Sequence, residues 1–102
     1  MGLDVYLFQK KELSYDRETS TRIVEEKCLW DCDTHELGEE VVYRFLGERG
    51  VCLVEPEDLF AWCVTQLNGK WEGEERNLIL QLKNTLENDI DEGADLELTE
   101  SH

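Results

Sequence analysis

The chain has 102 residues, enough for one small domain with a modest hydrophobic core. Its 25 acidic and 10 basic residues give a formal net charge of −15, which argues against direct binding to nucleic acid or to anionic membranes. No apolar run approaches the roughly 20 residues of a membrane helix, and no basic segment followed by an apolar one indicates a secretion signal. We therefore expect a cytoplasmic protein with reduced cysteines.

Two segments in the first third of the chain alternate as β-strands do. Residues 2–9 place Leu3, Val5 and Leu7 on one side. Residues 10–21 are polar and predict a loop or the flexible end of a long hairpin. Residues 22–30 alternate again, so the two strands are expected to pair antiparallel. Uninterrupted alternation assigns one face of the second strand to Val24, Glu26, Cys28 and Trp30.

Residues 34–46 are compatible with two structures. Their valines and aromatic residues favour a strand, with the glycines at 47–50 turning a hairpin into residues 51–54. The apolar residues also recur at helical spacing, Asp33 and Glu36 match a capping box, and Gly47 lies where a helix would end. Because period and caps agree, the sequence favours a helix over 34–46, with 51–54 as a short third strand.

Two further helices are indicated more clearly. Pro56 occupies the first position of one helix, which ends at Asn68 and Gly69. The other starts near Glu74 and stops at Gly93. In the first of these helices Trp62 lies off the main apolar face, which is formed by Leu59, Phe60, Cys63, Val64 and Leu67.

We predict a single α+β domain over residues 1–102. In this prediction a small antiparallel sheet of two or three strands packs against about three α-helices. The acidic tail, residues 93–102, alternates weakly and is expected to be either a short edge strand or disordered.

A cluster of potential metal ligands, Cys28, Cys32 and His35, lies where the second strand meets the helix. Zinc is bound by four such ligands in a tetrahedron, and Cys52 or Cys63 would be the fourth. The spacing is not a common one for ligand pairs, so the sequence favours core cysteines, with a small metal-binding domain as the alternative.

The same residues are poorly suited to a nucleophilic cysteine–histidine pair. The neighbouring Asp31, Asp33 and Glu36 raise rather than lower a thiol pKa. No other catalytic or cofactor motif is present, so we expect neither an enzyme nor a cofactor.

The C-terminal fifth of the chain is the stronger functional signal, because residues 84–102 contain seven acids and no base. Blocks of like charge are often interaction tails, and this one could imitate part of the charge density of DNA for a basic groove. A solvated acidic surface is the alternative. The candidate partner-binding residues are Trp71, Glu72, Glu74, Glu75, Glu87, Asp89, Asp91, Glu92, Asp95 and Glu97.

Two short motifs carry a resemblance to a group of proteins. Residues 1–7 (MGLDVYL) resemble the start of many small, uncharacterised proteins of bacteriophages and their hosts. Residues 30–38 (WDCDTHELG) are similar to a second feature of that group, a strand leading into a Thr-His-x-Leu-Gly helix start. The resemblance implies a helix at 34–46 and a phage or mobile-element origin, hence a bacterial cytoplasm.

In size and acidity the chain is also similar to anti-restriction and anti-CRISPR inhibitors of host defence. That similarity implies a non-enzymatic inhibitor whose acidic surface blocks the basic nucleic-acid-binding surface of a host protein or ribonucleoprotein complex. A phage accessory protein whose acidity serves only solubility is the alternative.

Overall fold

The computed structural model describes residues 3–101, which form an α+β fold, as predicted. Gly2, the predicted start of the first strand, and His102 lie outside the described residues. The elements in chain order are β1 (Asp4–Asp16), β2 (Thr21–Cys32), α1 (His35–Val41), a π-helical turn (Val42–Leu46), β3 (Val51–Val54), α2 (Pro56–Leu67), α3 (Gly73–Asn88) and β4 (Asp95–Ser101).

The sheet has four strands in the order β2-β1-β4-β3, and all neighbouring strands run antiparallel. The prediction of two or three strands was therefore too low. The missing strand is the acidic tail, which enters the sheet between β1 and β3 as an inner strand rather than an edge strand. Leu96 and Leu98 explain this position, because both side chains are buried on the helical side of the sheet.

The hydrophobic core lies between the helices and one face of the sheet. As predicted, Leu3, Val5 and Leu7 point into it, and the intervening side chains of β1 are only partly buried. Leu37 of α1 and Leu82 of α3 are fully buried opposite the sheet, within the same cluster. Among residues 3–101 no helix covers the other face of the sheet, in agreement with the alternating burial of β1 and β4.

Strands β1 and β2 form the predicted antiparallel hairpin, but β2 contains a β-bulge. Leu7 pairs with Trp30, whereas Phe8 pairs with Cys28, so Leu29 is the extra residue. A bulge shifts the side-chain alternation by one residue. The prediction that Cys28 and Trp30 share a face was therefore wrong: Trp30 is buried in the core, and Cys28 is exposed on the opposite face.

Residues 34–46 are helical, as favoured, but the helix changes type halfway. The last five residues form a π-turn, closed by a 2.7 Å hydrogen bond from the Gly47 N–H to the Val42 carbonyl. Val41 and Leu46 are both fully buried. Five residues correspond to about 140° around an α-helix, so only the wider π-turn, with its i to i+5 bonds, places both on the core side. Gly47 follows with φ at +59°, a value that favours glycine.

The start of α1 lies close against the N-terminal segment. Thr34 rather than Asp33 is the N-cap residue, and no side-chain capping hydrogen bond forms, so the capping box predicted for Asp33 and Glu36 is wrong. Gly38 faces Leu3 so closely that an added Cβ would lie 3.3 Å from its Cδ2 atom. A glycine at this position therefore allows α1 to pack tightly on the chain before β1.

Helix α2 starts and stops near the predicted residues, and α3 starts near Glu74 as predicted but ends at Asn88, short of the predicted stop at Gly93. The apolar face of α2 is rotated. Trp62 is buried and meets the Phe45 ring edge-on at 6.0 Å between centroids, whereas Val64 is exposed. The π-turn causes this difference, because it brings Phe45 against α2. Across residues 3–101, we find no helix with the length and apolar character needed to cross a bilayer.

Candidate protein-binding surface

The structure separates the three potential metal ligands. Cys28 is exposed on the open face of the sheet, and Cys32 is buried on the helical face with its Sγ 3.5 Å from the Thr34 hydroxyl. The exposed His35 instead pairs with Glu39, with 2.8 Å between Nε2 and Oε1. Within residues 3–101, no three His, Cys, Asp or Glu side chains are grouped closely enough to hold a metal ion. The bulge at Leu29 is the cause, because it turns Cys28 away from Cys32.

The less exposed cysteines are held in the protonated form. Burial raises the pKa of the Cys32 and Cys52 thiols and raises the pKa of Cys63 to about 12. Since the thiolate is the form that acts as nucleophile and metal ligand, these three thiols are unreactive near neutral pH.

The predicted partner-binding acids do not form one patch. Glu72, Glu74 and Glu75 lie at the start of α3, and Glu87 and Asp89 lie at its end. Sixteen helical residues span about 24 Å, so these two groups are far apart. Asp91 and Glu92 extend the second group into the turn before β4, while the pairing of β4 with β1 places Asp95 and Glu97 on the open face of the sheet.

Three of these acids also have structural partners. The Asp91 carboxylate accepts a 3.0 Å hydrogen bond from Gln9 Nε2, and the backbone N–H of Asp91 donates a 2.8 Å hydrogen bond to Gln9 Oε1. Glu97 pairs with Lys10 at 3.0 Å, and Glu87 pairs with Lys83 at 2.6 Å. Asp91 therefore joins the acidic turn to the buried Gln9 of β1.

Trp71 is not available as a surface anchor. Its side chain is only 5% exposed, and its Nε1 donates a 2.6 Å hydrogen bond to Gln66 Oε1. Lys70 lies over the ring, 5.1 Å from its centroid. Trp71 thus closes the edge of the core between α2 and α3, and the interpretation of it as an exposed partner contact is corrected.

The charge is divided unevenly between two parts of the molecule. We call residues 11–28 the arm and the rest of the chain the body. The arm contains five acids and four bases, so it is nearly neutral, whereas the body contains 20 acids and six bases and carries a net charge of −14. Within residues 3–101 four ion pairs form, and three of them involve acids of the body. Most of the acidic side chains of the body, Glu100 aside, therefore face solvent without a cationic partner.

The second acidic group lies at an unfavourable end of α3. The C-terminal end of a helix carries a partial negative charge, which basic residues stabilise. The last turn of α3 contains no basic residue, and Glu87, Asp89 and Asp91 follow one another there. Lys83, one turn earlier, pairs with Glu87 and offsets part of this charge. A cationic partner would relieve this local repulsion.

An open cleft beside the π-turn was missed by the sequence prediction. The cleft has a volume of about 760 Å³, and Tyr43 on its rim is 87% exposed, which is unusual for an aromatic residue in a helix. The π-turn directs Tyr43 outward while it directs Leu46 into the core. The detectable sequence signal was Tyr43 itself, an aromatic residue between the inward-facing Val42 and Phe45. The cleft is lined by Leu3, Val42, Tyr43, Gly47, Glu39, Glu40 and Glu100.

The cleft combines an apolar floor with a carboxylate rim. This arrangement is suited to a long cationic side chain, whose methylene stem would contact Leu3 and Val42 and whose charged end would meet the carboxylates. Tyr43 would add an aromatic face for the cation.

We found no match to this chain among protein families, curated proteins or solved structures.

Proposed function

We propose that the protein is a non-catalytic inhibitor that binds the basic nucleic-acid-binding surface of a bacterial host protein or ribonucleoprotein complex. The observation that carries this proposal is the charge of the body: −14 over 84 residues, with most carboxylates facing solvent. The phage-like motifs at residues 1–7 and 30–38 favour a target in host defence. Binding of this protein would prevent the partner from binding its DNA or RNA, both electrostatically and sterically.

The scale of the charge agrees with nucleic-acid mimicry. Double-stranded DNA carries one charge per about 1.7 Å of axis, so a 30 Å segment carries roughly 18 charges. The molecule measures 30 Å along its second axis, and the charge of the body is of the same order. A basic groove shaped for a short duplex could therefore be neutralised by the body.

The Tyr43 cleft would provide specificity within this acidic surface. Exposed tyrosines and the arginines that they contact are common among the residues that dominate binding energy. We therefore propose that an arginine or lysine of the partner inserts beside Tyr43, between Glu39 and Glu40. The acidic end of α3 would add long-range attraction.

The test is capture of partners from bacterial extract with and without nuclease, followed by binding measurements on the purified partner. We expect a basic protein whose binding is nuclease-resistant, weakens steeply as salt rises and is competed by DNA. Tyr43→Ala should weaken binding about tenfold or more, whereas Tyr15→Ala, in the arm, should leave it unchanged.

Two results would contradict the proposal. Capture of no basic protein would leave solubility as the role of the acidity. A partner whose affinity does not change between low and high salt would exclude the electrostatic mechanism.

A further inference from the structure

The arm projects beyond the rest of the sheet as a two-stranded ribbon. The last pair between β1 and β4 joins Lys10 to Asp95, but β1 and β2 continue pairing as far as Asp16 and Thr21. In the described part of the chain, residues 11–16 and 21–26 therefore have no third strand beside them and no helix over them, and all of them except the partly buried Lys11 are exposed. A two-stranded ribbon is marginally stable in water without additional contacts.

The arm also exposes an apolar group that no described residue covers. Its four large apolar side chains are 46 to 56% exposed, and they lie within a few positions of one another on the two paired strands. They are Leu13, Tyr15, Ile23 and Val24.

Beside this group runs the outer edge of β2. It is a 12-residue edge strand, and within residues 3–101 no strand pairs with its outer side. Long edges of this kind readily pair with a strand of another chain.

We propose that two copies of this chain pair through the β2 edges of their arms, antiparallel, with Val24 on the two-fold axis. The near-neutral arm is the part of the molecule through which two copies can approach with the least repulsion, because the body of each carries −14. Each arm would then gain neighbouring strands, and the four strands would form one continuous ribbon.

The register follows from the charges on β2. With Val24 facing Val24, Arg22 of each copy lies opposite Glu26 of the other, on the same face of the sheet, because side chains at positions 22, 24 and 26 share a face. Opposite charges directly across an antiparallel pair stabilise it. Glu12 already lies 3.4 Å from Arg22 within one copy, so each Arg22 would lie between two carboxylates.

Neighbouring registers are less favourable. A two-fold axis at Glu25 would place Glu25 opposite itself, and an axis at Arg22 would do the same for that arginine. An axis at Ile23 avoids repulsion but forms no ion pair, since Arg22 would then face Val24. The axis at Val24 is the register that pairs an apolar residue with itself and flanks it with two ion pairs.

The dimer is expected to be weak and reversible. The paired edges would cover seven residues, 21–27, which span about 23 Å, a contact at the small end of specific interfaces. We expect a dissociation constant in the micromolar range rather than a permanent dimer.

Sedimentation analysis over a range of protein concentrations tests the proposal. We expect the wild-type chain to pass from monomer to dimer, and Arg22→Glu or Glu26→Arg to raise the dissociation constant about tenfold. The double variant R22E/E26R should restore dimerisation, because it exchanges the two charges. A wild-type chain that stays monomeric, or a dimer that neither single variant weakens, would overturn the proposal.

Cross-linking tests the register. In a Cys28→Ser background, Val24→Cys should form a disulfide-linked dimer on mild oxidation, because facing residues of antiparallel strands lie within disulfide range. Arg17→Cys, at the exposed turn of the arm, is the control and should not cross-link. Equal cross-linking of both would refute the Val24 axis. Since none of these substitutions lies in the body, failure of the dimer would leave binding to a basic partner intact.

Discussion

The arm and the body are parts of one sheet, yet they differ in almost every physical property. In the body, the helices cover one face of the strands, so alternate side chains such as Leu7 and Leu98 are fully buried. In the arm the same strands continue without a helical layer, and Leu13 and Ile23 are exposed. The body carries −14 and the arm about −1.

The comparison shows that alternation alone does not determine burial. Ile23 and Trp30 belong to the same strand, but only Trp30 has a helix opposite it, where its Nε1 donates a 2.9 Å hydrogen bond to the Leu78 carbonyl of α3. We therefore expect the body to supply the stability of the fold and the contacts to a basic partner, and the arm to supply contacts between copies.

The largest expected difference is in the cost of removing a leucine side chain. Leu82→Ala should lower the free energy of unfolding by about 2–5 kcal/mol, because it leaves a cavity in the core. Leu13→Ala, in the arm, should change it by less than about 0.5 kcal/mol. Urea denaturation of both variants checks this prediction. Equal losses would mean that the arm is covered in solution.

A smaller effect is expected where the arm leaves the body, at Gln9. Gln9→Leu removes both hydrogen bonds to Asp91 and should lower the free energy of unfolding by about 1–3 kcal/mol. The matched control is Gln81→Leu on the exposed side of α3, which should stay within about 0.5 kcal/mol of wild type. If the two variants unfold alike, the Gln9–Asp91 contact does not hold the acidic turn in place.

Added salt should have opposite effects on the two kinds of binding, that of the body to a basic partner and that of one arm to another. Between about 0.05 and 0.5 M salt, binding of the body to a basic partner should weaken roughly tenfold or more, because opposite charges are screened. Dimerisation through the arms should strengthen, because screening reduces the long-range repulsion between the two bodies more than it weakens the short-range contacts of Arg22 with Glu26. Both are measured by sedimentation in a salt series. A parallel change in the two would contradict the division of charge proposed here.

The smallest effect is expected from the buried thiol of Cys63 at alkaline pH. Its folded pKa, about 12, is raised above the value of an unfolded thiol, so the unfolded chain loses its proton first. This contribution to stability is complete below pH ~8.5, the ordinary thiol pKa, and is lost as the pH rises towards 12. The free energy of unfolding should therefore fall less steeply with rising pH in Cys63→Val than in Cys28→Val, whose thiol is exposed in wild type. If the pH dependence of unfolding in Cys63→Val equals that of the wild type, the predicted contribution of the Cys63 thiol is wrong.

Some local features were predictable because neighbouring residues determine them. Pro56, Gly47 and Asn68 marked helix ends, and the alternation of Leu3, Val5 and Leu7 marked the buried side of β1. The bulge at Leu29 was not predictable, because it depends on how β2 must shift for Trp30 to reach α3. It is also the feature that separates Cys28 from Cys32.

Some features of the candidate protein-binding surface were also predictable from the sequence, and others were not. The acids of α3 and β4 are visible in the sequence, but their separation by the length of α3 is not. The exposure of Tyr43 depends on the π-turn, which in turn depends on the burial of both Val41 and Leu46. Trp71 could not be assigned to core or surface until its partner Gln66 was placed.

The sequence by itself determined the fold class, the starts of the helices, the first hairpin and the large negative charge, because each depends on composition or on short-range spacing. The tertiary structure decided that the acidic tail is an inner strand, that the arm lies outside the helical layer, and that the excess charge belongs to the body. These features depend on pairing between distant segments: residues 95–101 fill the space between β1 and β3 because Leu96 and Leu98 meet the core there. Contacts between residues about 90 positions apart leave no local pattern in the chain.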